Sequence, residues 1–155
     1  MRASELLQPT DMVLGFDPHD KWQAIHDLVR HLVERGRLDP ALEEVVREAV
    51  LARERSMSTG MEQGVAIPHA AVDEVSEIMG VMGVVSNEAG LEFESIDGQP
   101  ARVVVLLVIP KTQKLLHIRT LADIARVLTK EGVRHKLLET QNVDEAHAAL
   151  VAGGS

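Results

Sequence analysis

The stretch Val103-Val104-Val105-Leu106-Leu107-Val108-Ile109 decides the fold class of this 155-residue chain. It is apolar throughout and rich in β-branched residues, without the polar alternation of a half-exposed strand. This pattern is typical of a central strand whose sheet is covered on both faces. It is far shorter than the roughly 20 apolar residues that a membrane-spanning helix needs. The sequence therefore predicts a buried strand inside a layered domain.

Helical and strand patterns alternate around this run. Helices are predicted after Asp17-Pro18 and Asp39-Pro40, at His117 to Leu128 and Val133 to Leu138, and after Asn142, with further strands at Val65 to Ile67 and Ile78 to Val85. Aspartate before proline is a typical helix start, because the carboxylate caps free N–H groups and proline suits the first helical position. The pattern predicts an α/β fold, a single-domain sandwich with a mixed β-sheet flanked by helices. Residues 153–155 are expected to form a flexible tail.

Composition excludes several classes of function. The chain carries 16 basic and 24 acidic residues, for a net charge of −8, and no run of lysines or arginines, which argues against nucleic acid or an anionic membrane as partner. Cysteine is absent, which excludes disulfides, thiolate metal sites and cysteine nucleophiles. No histidine motif supplies a metal site, and no metal or cofactor is predicted. The start of the chain does not resemble a signal peptide, so a cytoplasmic protein without membrane insertion is expected.

Three polar residues interrupt the pattern. Arg53 continues the apolar stripe of the second predicted helix, so its guanidinium either meets an anion or reaches solvent as a helix-end cation. His69 follows Pro68 at the end of a strand, where α/β folds place ligands and catalytic groups, although an ordinary loop histidine fits equally well. His117 begins a predicted helix and is either a neutral donor to a phosphate or a packed histidine. The residue pattern leaves these alternatives open.

Arg53, His69 and His117 lie within a larger group of sequence segments that resembles a known family. The group comprises Arg53-Glu54, Ser58-Thr59-Gly60, Gly64 to Ala70, Phe93 to Gly98, Leu106 to Pro110, and His117 with Leu121-Ala122. Together they resemble the enzyme IIA domains of the fructose–mannitol class (type 2) in the bacterial phosphoenolpyruvate-dependent sugar phosphotransferase system. This class includes the nitrogen-regulatory IIA proteins. The resemblance covers essentially the whole chain and implies one such domain over residues 1–152. Two departures are Ile118, where the family usually has leucine, and the acidic turn Met61-Glu62-Gln63.

The resemblance also implies roles for individual residues. His69 would be the phosphorylated nucleophile, with His117 supporting the phosphate and Arg53 balancing its charge. Ser58 and Thr59 are candidates for a phosphate-binding loop, although turn chemistry explains them equally well. Imidazole suits this role because it is largely unprotonated at neutral pH, with a usual pKa of about 6.5. Phosphoryl transfer needs mainly positioning and charge stabilisation from the protein.

Two physiological roles follow from the resemblance. In the first, His69 accepts a phosphoryl group from the histidine phosphocarrier protein and passes it to a cysteine of a IIB domain, as in fructose-type sugar transport. The alternative is a nitrogen-type regulatory IIA protein that acts by phosphorylation-dependent binding to partner proteins. The length of the chain, without a fused carrier or membrane domain, fits the alternative at least as well.

Overall fold

A computed structural model describes residues 1–154. The elements in chain order are α1 (Ala3–Leu6), β1 (Met12–Phe16), α2 (Lys21–Glu34), α3 (Glu43–Ser56), β2 (Val65–Ala66), β3 (His69–Val72), β4 (Met79–Val85), β5 (Val103–Pro110), α4 (Lys114–Leu128), α5 (Glu131–Glu139) and α6 (Val143–Gly153). Short 3-10 turns at Pro9–Asp11 and Pro40–Leu42 precede β1 and α3. Within the described residues, no helix is long and apolar enough to cross a membrane. The predicted α/β sandwich is confirmed.

The sheet is mixed, as predicted. Its strand order is β1-β4-β5-β2, and β3 also pairs with β5. Strand β1 runs parallel to β4, β4 runs antiparallel to β5, and β2 and β3 both run parallel to β5. Every residue of β5 is buried, which confirms the prediction of a central strand.

The two faces of the sheet bury separate apolar clusters. Alternate side chains of β5 enter each, because successive residues of a strand point to opposite faces. Val104 and Leu106 pack with α2 and α3, whereas Val105 and Leu107 pack with α4, α5 and α6. This three-layer arrangement places α3 and α4 on opposite sides of the strand that carries His69.

Strand β2 ends just before Pro68, in agreement with the predicted halt, but the chain does not leave the sheet there as expected. Val65 pairs with Val103, and His69 pairs with Leu107, so the register of β2 continues unchanged into β3. Proline lacks an N–H group and interrupts the ladder locally, but its carbonyl still accepts a hydrogen bond from the Leu107 N–H at 3.0 Å. His69 therefore follows β2, as predicted, but it begins β3 instead of lying in a loop.

Helix boundaries also differ from the predictions. The first long helix begins at Lys21 and is capped by Asp20, whose side chain accepts from the Gln23 N–H at 2.8 Å, rather than by Asp17. Helix α4 begins at Lys114, so three residues expected in the preceding loop are helical. Gly132, predicted to end that helix, lies inside α5.

The ends of the chain contain further differences. Helix α1 and strand β1 were not predicted, because α1 spans only four residues and β1 lacks strict alternation of buried and exposed positions. The predicted cap Asn142 is confirmed, since its side chain accepts from the N–H groups of Asp144 and Glu145. Helix α6 extends through Gly153, which is buried, so this residue does not belong to a flexible tail. Ser155 lies outside the described residues.

Candidate active site

His69 is oriented by the backbone of its own strand. Its Nδ1 atom lies 2.8 Å from the carbonyl oxygen of Ile67, two residues earlier. A carbonyl oxygen can only accept, so Nδ1 carries the proton and Nε2 keeps its lone pair. Among residues 1–154, Nε2 has no hydrogen-bond partner. The neutral ring thus presents a nucleophilic nitrogen in a fixed orientation.

His117 faces His69 from the first turn of α4. The two ring centroids are 5.3 Å apart, and the ring planes are inclined by 76°, an edge-to-face contact. The backbone N–H of His117 donates to the Gln113 carbonyl at 3.0 Å, so it is not a free helix-terminal donor. Only the imidazole of His117 is therefore available to a group bound at His69.

Arg53 reaches the site from the last turn of α3. Its Nη1 donates to the carbonyl oxygen of Met57 at 2.7 Å, which ties the guanidinium to the start of the following loop. The side chain is half-buried rather than part of the core. Arg53 and His69 line the same pocket of about 220 Å³, together with Ser58, Thr59, Gly60, Met61, Ile67 and Leu121. The pocket is large enough for a phosphoryl group.

Burial and the charge of Arg53 favour the neutral form of both histidines. Burial lowers the pKa of His69, and the positive charge of Arg53 lowers it further, while the Ile67 carbonyl and the Glu54 carboxylate act in the opposite direction. Burial and the charge of Arg53 also lower the pKa of His117. These shifts favour an unprotonated Nε2 in His69 at neutral pH.

The two loop candidates differ in their surroundings. Ser58 lines the pocket, and its hydroxyl oxygen accepts from the Gly60 N–H at 3.3 Å. Thr59 is buried, and its hydroxyl and N–H both donate to Glu54, at 2.5 Å and 3.0 Å. The Thr59 hydroxyl is thus engaged with Glu54 instead of pointing a free donor at the pocket, whereas Ser58 remains a candidate donor.

Glu54 and Lys21 were not among the predicted site residues. Glu54 is buried, and its Oε2 lies 3.2 Å from Nζ of Lys21, the first residue of α2. Val46, Val50 and Glu54 repeat at intervals of four residues on the buried side of α3. This spacing could have identified Glu54 as a buried carboxylate beside Arg53.

Comparison with known proteins identifies the family. Residues 5–152 match the family described as phosphoenolpyruvate-dependent sugar phosphotransferase system, EIIA 2. The chain belongs to this family. EIIA proteins of this system are phosphoryl carriers, and a histidine with a free Nε2 beside an arginine is a suitable acceptor for such a group. The resemblance noted from the sequence is confirmed.

The chain is similar both to a sugar-specific component of this system and to nitrogen regulatory proteins. The PTS system fructose-specific EIIABC component of Bacillus subtilis is 31% identical over 144 residues, which are 93% of this chain and 22% of that protein. A nitrogen regulatory protein of Bradyrhizobium diazoefficiens is 30% identical over 150 residues, which are 97% of this chain and 95% of that protein. The crystal structure of nitrogen regulatory protein IIA-Ntr from Neisseria meningitidis has a TM-score of 0.83 and 26% identity, covering 95% of this chain and 97% of that one. These similarities place the chain in the family that contains both fructose-specific EIIA components and nitrogen regulatory proteins.

Proposed function

We propose that this EIIA domain accepts a phosphoryl group on Nε2 of His69 from the histidine phosphocarrier protein and passes it to a cysteine of a IIB domain. The proposal includes a cytoplasmic location, where such carriers act. The observation that carries it is the hydrogen bond between His69 Nδ1 and the Ile67 carbonyl, which leaves Nε2 as the reactive nitrogen. A regulatory target instead of a IIB domain is the alternative considered below.

The transfer requires an acceptor nitrogen with its lone pair free. The Nε2 lone pair attacks the phosphorus of the donor phosphohistidine, the new N–P bond forms, and the donor's N–P bond breaks with its electron pair returning to the donor ring. The His69 ring then carries positive charge, which the Ile67 carbonyl oxygen stabilises through the Nδ1–H. No proton has to leave His69 during this step.

Arg53 and His117 are suited to hold the transferred group. Arg53 is a permanent cation and presents several donors to phosphate oxygens, while the neutral His117 imidazole adds one further donor. Ser58 is a further candidate donor because its hydroxyl borders the same pocket. A moderate set of contacts suits a carrier, because excessively tight phosphate binding would slow onward transfer.

The surroundings of the site support docking of a protein donor. Leu115 and Ile118 flank His117 on α4 and are 60% and 66% exposed, and Met57 after α3 is 68% exposed. Exposed apolar side chains near a reactive group are typical of a protein-interaction surface. Each partner would approach His69 over this rim.

The regulatory alternative rests on the same phosphohistidine with a different output. It is supported by the Bradyrhizobium relative, since the alignment extends over 95% of that nitrogen regulatory protein. The proposed role in fructose-type transport is supported by the Bacillus relative, although the alignment covers only 22% of that protein. The two outputs are separable by experiment because only the first includes transfer to a cysteine.

The first test is phosphorylation by phosphoenolpyruvate, enzyme I and the carrier protein. Wild type should acquire one phosphoryl group of acid-labile, base-stable character, and His69→Ala should acquire none. His135→Ala is the matched control, because His135 is exposed on α5 and pairs there with Glu139 on the protein surface. Equal labelling of His69→Ala and wild type would refute the assignment.

The second test separates acceptance from release. His117→Ala should still become phosphorylated but should pass the group on slowly, because the departing phosphate loses a supporting donor. Onward transfer to a IIB cysteine would establish the transport role. Absence of that transfer, combined with partner binding that depends on phosphorylation, would establish the regulatory role. Unimpaired release by His117→Ala would limit His117 to a structural role.

A further inference from the structure

Glu54 makes a dense set of contacts that phosphate binding does not use. Its side chain has no solvent exposure, and its two oxygens accept from three donors. Oε1 accepts from the Thr59 hydroxyl at 2.5 Å, and Oε2 accepts from the Thr59 N–H at 3.0 Å and from Lys21 Nζ at 3.2 Å. Such a fully satisfied buried carboxylate fixes the position of whatever segment supplies its donors.

The segment that Glu54 fixes is bonded in turn to His69. The Thr59 carbonyl accepts from the Ile67 N–H at 3.1 Å, and the Ile67 carbonyl accepts from Nδ1 of His69 at 2.8 Å. The adjacent Met61 N–H donates to the Val65 carbonyl at 2.8 Å, which adds a second link between the same two segments. A continuous series of hydrogen bonds therefore runs from α3 to the imidazole ring.

We propose that Glu54 is a positioning residue for His69, which acts through Thr59 and Ile67 to hold the ring with Nδ1 protonated and Nε2 directed into the pocket. Only the expected effect on the rate of His69 phosphorylation rests on the proposed function. The orientation of the ring is a property of the unphosphorylated protein and can be measured without any donor.

Charge gives Glu54 a second effect on the ring. The ring becomes positive when Nε2 bonds to phosphorus, and the carboxylate of Glu54 favours that charge, whereas Arg53 and His117 oppose it. The same carboxylate raises the pKa of His69, so its removal should lower that pKa. Lys21 is paired with the same carboxylate, through Oε2.

The experiment compares Thr59→Val, Thr59→Ser and Glu54→Gln. Thr59→Val removes the hydroxyl but keeps the N–H donor and the Lys21–Glu54 pair, and Thr59→Ser restores the hydroxyl. We expect Thr59→Val and Glu54→Gln to lower the maximal rate of His69 phosphorylation by about tenfold or more, with little change in KM for the carrier protein. Thr59→Ser should stay within about threefold of wild type.

A readout on the free protein separates positioning from mere support of the fold. Nitrogen NMR of the imidazole should show one tautomer, protonated at Nδ1, in wild type and Thr59→Ser, and a mixture in Thr59→Val and Glu54→Gln. The His69 pKa measured by NMR titration should be lower in Glu54→Gln than in wild type. A urea denaturation curve confirms that each variant is folded, and Thr59→Val remains informative if Glu54→Gln does not fold.

Two results would overturn the proposal. One is an unchanged phosphorylation rate in folded Thr59→Val. The other is a reduced rate with an unchanged tautomer and an unchanged His69 pKa, because a purely structural role produces that combination. Failure of wild type to accept phosphate would instead refute the proposed function and leave the NMR result intact.

Discussion

Replacing Lys21 with methionine tests how the buried pair beneath the active site contributes to stability. Methionine keeps the unbranched chain but removes the charge, which leaves the Glu54 carboxylate without its cation. The side chains of Lys21 and Glu54 are 15% and 0% exposed, so water can compensate only slightly. The ammonium also lies 4.9 Å from the centre of the Trp22 ring, a contact that methionine cannot reproduce electrostatically.

The size of the effect follows from this geometry. At the 3.2 Å separation, two unit charges attract by about 5 kcal/mol at an effective dielectric constant of about 20. Removal of one partner of a buried pair typically costs about 3–5 kcal/mol. Because Thr59 keeps both hydrogen bonds to Glu54, we expect the lower end, about 3 kcal/mol. That loss lowers Tm by about 6–12 °C in a domain of this size.

Urea denaturation provides the measurement, with the midpoint and the slope fitted separately. Lys111→Met is the matched control, because Lys111 and its partner Asp73 are 64% and 72% exposed and 4.0 Å apart. The control should change the free energy of unfolding by less than about 0.5 kcal/mol. The double variant Lys21→Met/Glu54→Gln should be less destabilised than the sum of the two single variants. A loss below about 1 kcal/mol for Lys21→Met, or simple additivity, would refute the reasoning.

Three further predictions concern pH, packing and the phosphate site. Both site histidines have lowered pKa values, so below about pH 6.5 the unfolded chain binds more protons than the folded one and the free energy of unfolding should decrease as pH falls. In urea denaturation curves, wild type should lose more stability over this pH range than the double variant His69→Gln/His117→Gln. An equal loss in both proteins would contradict the prediction. Gly83→Ala should destabilise the protein by about 1–3 kcal/mol, because the added Cβ would lie 2.5 Å from the phenylalanine ring of β1. Gly132→Ala should stabilise it by about 0.5–1 kcal/mol, because the added Cβ meets open space within α5. Calorimetry that gives both variants a change of the same sign would contradict this prediction. Arg53→Lys should slow phosphorylation of His69 by about tenfold to a hundredfold in a quench-flow assay, because lysine keeps the charge but lacks the planar guanidinium, and an unchanged rate would exclude a specific role.

Local patterns predicted the elements whose signals lie within a few residues. The apolar run of β5 indicated a strand covered on both faces, and the cap Asn142 marked the start of α6. Boundaries were less accurate where a single residue had been given too much weight. Pro68 was expected to direct the chain out of the sheet, but pairing with β5 resumes at His69 in the same register. Cross-strand hydrogen bonds on either side outweigh the loss of one donor.

The candidate site was only partly accessible from the sequence. His69, His117 and Arg53 were identified from position and resemblance, and the fold brings the two imidazoles to a centroid distance of 5.3 Å. Neither the tautomer of His69 nor the engagement of Thr59 could be inferred, because both depend on which carbonyl or carboxylate lies within about 3 Å. Helical spacing could have identified Glu54 as buried, but not its partner.

The sequence by itself determined the buried strand and the alternating layers, and its family resemblance predicted His69 as the phosphorylated residue. The strand and the layers follow from apolar periodicity and turn residues, both of which act locally. Only the tertiary structure decided that Lys21, 33 residues away from Glu54, neutralises the carboxylate, and that Thr59 and Ile67 connect that carboxylate to the ring of His69. Contacts of this kind require whole layers to be packed first, because the hydrogen bonds become favourable over those to water only when burial has removed the solvent.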